Sequence, residues 1–163
     1  MQSSYGHHIP IPGSVDDIAL QKVMERVRAL AKDPVFLANA DIADNPQAKA
    51  IFFDLIESQL TPALSSNTGP AVGILNLRTA SGEIKTVLSI TLPKNASNST
   101  IVHELVHTAR QASIKTSSNG KFDLFLYEST TPKFDPDYWA VFLREESIAH
   151  WTTGQIMVTG VGK

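Results

Sequence analysis

Ser99-Thr-Ile-Val-His103-Glu104-Leu105-Val106-His107-Thr-Ala-Arg110-Gln-Ala112 is the stretch that organises the reading of this chain. On an α-helix, residues four apart lie one turn above each other on one face, so His103 and His107 can direct a ring nitrogen each at one metal ion. Glu104 is turned about 100° from His103, beside that ion. A carboxylate there can take a proton from an activated water as it attacks a carbonyl. Ile101, Val102, Leu105, Val106 and Ala109 give the same helix a wide apolar surface, which predicts burial. Two histidines at the edge of a buried face need polar partners, and a metal ion supplies them.

Composition narrows the rest. A chain of 163 residues with 42% hydrophobic content has the size of one domain that can bury its own core. It contains no apolar run of about 18 residues, so no membrane span is expected. A net charge of −2 leaves no basic footprint for nucleic acid or anionic lipid. Cysteine is absent, which excludes disulfides and thiolate metal sites. The N-terminus lacks the basic and apolar regions of a Sec signal peptide. The chain is therefore expected to be cytoplasmic, exported by a non-Sec machine, or part of a longer protein. Asn95-Ala-Ser97 and Asn98-Ser-Thr100 match the glycosylation pattern, but short polar residues before a helix are more simply turn and cap residues.

Residues 1–13 read as an extended leader. Ser14 followed by Asp17 resembles a capping box and opens a helix over about 15–31. Asn45-Pro46 is a cap with a proline at the first helical position, and the following apolar stripe predicts a second helix over about 46–60. Thr61 to Pro70, rich in proline and serine, reads as a linker. The period then changes. Residues 71–78 and 84–92 are β-branched and apolar, split by Ser81-Gly82, and predict a hairpin. Asn98 or Ser99 is the expected cap of the motif helix, which runs to about Ile114. Phe122 to Tyr127 suits a short strand or loop, and Asp135-Pro136 caps a last helix reaching about Thr152. The order of elements predicts an α+β fold in a single domain over residues 14–163.

A catalytic zinc site usually has three protein ligands and an open position for water. The chain has five histidines, His7, His8, His103, His107 and His150, and none lies between 107 and 150. The third ligand is therefore His150 or a carboxylate, and Leu143-Arg-Glu145-Glu146-Ser-Ile-Ala-His150 offers Glu145 and Glu146 on a predicted helix.

The pairing of His-Glu-Leu-Val-His with a downstream helical Glu resembles the gluzincin group of zincin metallopeptidases. His103-Glu-Leu-Val-His-Thr-Ala-Arg110 followed by Arg144-Glu-Glu-Ser-Ile-Ala149 is similar to compact NleD-like effector proteases and, more remotely, to clostridial neurotoxin light chains. The resemblance implies a minimal zincin-like domain: a zinc-dependent (Zn2+) endopeptidase with a substrate strand laid along the sheet edge before the motif helix. It implies His103, His107 and a glutamate as zinc ligands and Glu104 as general base. Gluzincins commonly place a small residue three positions after the ligand Glu, and Ala149 meets this only for Glu146. A polar residue four positions on often orients a ligand histidine, and His150 stands there. Glu145 would then pair with Arg144 or solvent. An oxyanion donor is sought among Tyr127, Tyr138, Arg110 and Arg144, and Arg110 is equally suited to supporting a nearby carboxylate. A secreted effector or toxin domain of this kind implies a protein or peptide substrate, an immunity or inhibitor protein as partner, and a monomeric enzyme.

Two other readings are open. Tyr5-Gly6-His7-His8-Ile9-Pro10 resembles the Gly-His-His opening of some HNH-type toxin nucleases, although that fold needs more ligands soon afterwards. A non-catalytic interaction module would instead hold a structural metal closed by four ligands, for example with His150 completing the sphere.

Overall fold

The computed structural model describes residues 7–65 and 69–161. Leader residues 1–6, including Tyr5 and Gly6, and linker residues 66–68 lie outside that range. His7–His8 form a short strand, β1, before helix α1 (Val15–Ala31). The Ser14 side chain caps α1 by accepting from the Asp17 N–H at 3.2 Å, and Asp17 accepts from the Gly13 N–H at 2.8 Å. This is a reciprocal cap shifted by one residue from the usual box. Helices α2 (Pro34–Asn39) and α3 (Pro46–Asp54) both start on a capping residue followed by proline. The second expected helix does not run on as α-helix: Leu55–Gln59 form one π turn, closed by the Leu60 N–H on the Leu55 carbonyl at 2.9 Å.

Strands β2 (Thr61–Ser65), β3 (Ala71–Arg78) and β4 (Ile84–Leu92) build a small sheet. The hairpin is as expected: β3 and β4 pair antiparallel from Ala71↔Thr91 to Arg78↔Ile84. Its turn closes at Gly82, whose φ of +91° suits a residue without a side chain. The segment read as a linker contributes β2, which lies parallel to β4 from Thr61↔Ser89 to Leu64↔Leu92. Pro62 is compatible with this because β1 joins the other side of β2 only at Leu64 and Ser65. β1 also meets β3 at His8↔Arg78, which closes the sheet on itself at that end. Among the described residues, β3 from Ala71 to Leu77 is paired on the β4 side alone. The result is a mixed α+β fold with a small sheet.

Helix α4 (Asn98–Ser117) carries the motif. Its cap is Ser97, one residue earlier than expected, accepting from the Thr100 N–H at 3.1 Å. Ile101, Val102, Leu105, Val106 and Ala109 are all buried, as the apolar pattern requires. The Phe122–Tyr127 segment is neither strand nor loop in its second half: α5 (Leu124–Thr130) is capped by Asp123. Gln111 of α4 fixes that start, donating to Asp123 at 2.9 Å and accepting from the Phe125 N–H at 2.9 Å. The last helix, α6 (Pro136–Val158), starts where Asp135-Pro136 places it and runs past the expected end. It packs on α4, with Ala149 buried.

Candidate metal centre

Two helices bring the donors together. His103 and His107 stand one turn apart on α4, their Nε2 atoms 3.2 Å from each other. Glu146 reaches them from α6, with its carboxylate oxygens 2.9 Å from His107 Nε2 and 3.3 Å from His103 Nε2. Tetrahedral ligands bound at about 2.0–2.1 Å lie about 3.3–3.4 Å apart, close to this spacing. The chemistry of the donors points the same way. Burial lowers the pKa of both histidines, although Glu146 opposes it, which favours the neutral rings that a metal ion binds. Two imidazole nitrogens and a carboxylate converging on one point suit a cation. His103, His107 and Glu146 thus form a group close enough to hold a metal ion.

Glu104 is buried next to His103, and it lines with His103 and Glu146 a cavity of about 550 Å³. Burial, and secondarily the Glu146 charge, pushes its carboxyl up to about 8. A second cavity of about 530 Å³ shares Glu146 and is lined by His107, Tyr138, Phe142 and the β3 backbone from Ala71 to Leu75. The two hollows share Glu146 and Pro70, the residue before β3, as lining.

The other carboxylate has a different place. Glu145 is buried rather than solvated, and accepts two hydrogen bonds from Arg110, at 2.8 and 2.9 Å. Arg144 adds a third at 3.1 Å. Burial alone would raise the Glu145 carboxyl, but these donors outweigh it and hold the pKa below the usual range. Arg110 and Arg144 are therefore engaged with Glu145. His150 lies near the group without completing it: its Nε2 is 3.7 Å from Glu146, its ring 4.7 Å from that of His103, and its side chain is 76% exposed. Tyr127 packs against Phe122, whereas Tyr138, in the first turn of α6, is buried along the second cavity. His7 and His8 sit on β1, and among the described residues the one metal-holding group found is His103, His107 and Glu146.

Arg110, equally suited in the sequence to supporting a nearby carboxylate, does so, and the helix crossing identifies that carboxylate as Glu145. Sequence reasoning missed another feature. Glu128 of α5 also lines the second cavity, in a segment whose apolar run concealed a helix. Compared with protein-family models, curated proteins and solved structures, the chain matches none of them.

Proposed function

We propose that the protein is a zinc-dependent endopeptidase of the gluzincin kind, with His103, His107 and Glu146 as metal ligands and Glu104 as general base. The observation that carries this reading is the convergence of the three donors, two of which line one cavity with the buried carboxylate of Glu104. Two imidazoles and one carboxylate suit zinc, and equally a ferrous ion. Glu104 favours zinc, because hydrolysis needs a proton acceptor next to the metal. A bound zinc ion supplies a Lewis acid that makes water acidic enough to react near neutral pH.

The chain's own residues do the rest. Glu104 accepts a proton from the attacking water and returns it to the leaving amine nitrogen. The partly unpaired edge of β3 offers backbone groups to an extended peptide, and an added strand there would run beside the metal group. Arg110, through Glu145, fixes the α6 turn that aims Glu146. Tyr138 is the residue of the remaining oxyanion candidates that lines the cleft. His150 favours a second reading, a closed four-ligand structural site, by its proximity to Glu146 and His103. Its exposure leaves the ring unfixed by packing, which suits an open site better.

The test is hydrolysis of an unstructured protein such as casein by zinc-loaded wild type and Glu104→Gln. The substitution should keep one zinc per chain and lower the rate by about 10²–10⁴-fold, the usual worth of a general base. Unchanged hydrolysis at equal zinc content would refute the assignment of Glu104.

A further inference from the structure

Glu128 stands in the last turn of α5 with its side chain on the second cavity. It is half-buried and, among the described residues, has no ion pair within 4 Å and no side-chain hydrogen bond. The acids around it have partners: Glu145 has Arg110 and Arg144, and Glu146 has the two histidines. Burial, then the charges of Glu145 and Glu146, pushes the Glu128 carboxyl up to about 7. Burial and the Glu128 charge raise the Tyr138 phenol in turn, which marks the two as neighbours. The Glu128 oxygens are not sealed from solvent, so this half-buried carboxylate is open to a cation entering the cavity.

The cavity walls match a particular kind of cation. Tyr138 and Phe142, which line the same cavity as Glu128, stack with ring centroids 6.0 Å apart and planes 14° from parallel and put aromatic carbon on its wall. Such a surface suits the methylene stem of a long basic side chain, or the face of a guanidinium. On the far strand Gly73 of β3 lines the same cavity with a φ of +144°, a backbone conformation that suits glycine. Lys133 borders the same cavity, but it is exposed, where solvent and salt screen its charge, and makes no pair with Glu128.

We propose that Glu128 is the acidic end of a side-chain subsite that selects an arginine or lysine of the bound peptide close to the scissile bond. The stem lies along Tyr138 and Phe142, and the charged head meets Glu128. This rests on the endopeptidase reading for its substrate, but the subsite itself can be tested without hydrolysis.

The experiment titrates the zinc-loaded protein, by NMR, with acetyl-arginine amide and with its neutral isostere acetyl-citrulline amide. Wild type should bind the arginine compound about ten-fold tighter or more, the worth of one charge-assisted hydrogen bond, and Glu128→Gln should erase the preference. Equal or absent binding of the two by wild type, or a preference that survives the substitution, overturns the proposal. A second arm identifies cleaved bonds in a proteome-derived peptide library. A basic residue enriched at one fixed position, and lost in Glu128→Gln, supports the subsite. Cleavage without that enrichment overturns it while leaving the peptidase reading intact. No cleavage together with a retained arginine preference overturns the peptidase reading and leaves the cation subsite standing.

Discussion

The adjacent glutamates Glu145 and Glu146 show how far single residues could be read. Their side chains leave a helix about 100° apart, so one rotation of α6 sends one to the metal group and the other into the helix interface. Glu146 is within 2.9 Å of His107, and Glu145 is buried against Arg110. The spacing common in gluzincins, which the chain resembles, favoured the same member of the pair through Ala149. It carried no hint that the other would be buried, because the partner of Glu145 lies 35 residues away in sequence. Opposite phenotypes follow. Glu146→Ala should lose bound zinc, measured by elemental analysis after gel filtration, and keep its fold. Glu145→Ala should still carry one zinc per chain, at an affinity weakened by loss of the Arg110 fork, and lose about 2–4 kcal/mol of stability in urea unfolding, because it strands the Arg110 guanidinium. Zinc lost in Glu145→Ala and kept in Glu146→Ala would exchange their roles.

At the scale of elements, three helices begin on a capping side chain followed by proline: Asp33-Pro34, Asn45-Pro46 and Asp135-Pro136. The second and third were legible because long apolar stripes follow them. The first opens a helix of six residues, too short to show a period. β2 was hidden for a related reason. Its prolines and serines look like a linker, and only parallel pairing with β4, a contact distant in sequence, makes Thr61–Ser65 a strand. α5 depends on Gln111 of α4, which no local pattern of Phe122–Tyr127 could reveal. The metal donors sit on α4 and α6, so the Arg110–Glu145 fork that joins these helices should support metal binding. Arg110→Leu is expected to weaken zinc affinity by about 10–100-fold, the usual worth of a supporting contact behind a ligand, in competition with a chromophoric chelator. Unchanged affinity would make the fork a matter of stability alone.

For the whole molecule, β3 borders the second cavity while α4 and α6 carry His103, His107 and Glu146, so the metal binding proposed above would be linked to folding. Zinc at about a thousand times its Kd should add about 4 kcal/mol of stability. Chelation should therefore lower the melting midpoint by about 8–16 °C in a chain of this size, read by calorimetry. Glu128 gives the metal-free protein a pH dependence of known sign. It faces Glu145, Glu146 and Tyr138 of α6, His107 of α4 and the exposed Lys133. Its carboxyl is raised from 4.5 to about 7, so the folded protein retains a proton that the unfolded chain has released between these values. Stability should fall as pH rises through that window. Glu128→Gln should remove this part of the fall, raising the midpoint at pH 8 by about 2–4 °C and leaving it unchanged near pH 4.5. Above all these stands the metal centre, and a crystal structure of the zinc-loaded protein with zinc located by anomalous scattering tests it most directly. The expected result is one ion bound by His103 Nε2, His107 Nε2 and Glu146 at about 2.0–2.2 Å, with an open fourth position beside Glu104. An ion held elsewhere, or closed off by His150 as a fourth protein ligand, would contradict the catalytic assignment.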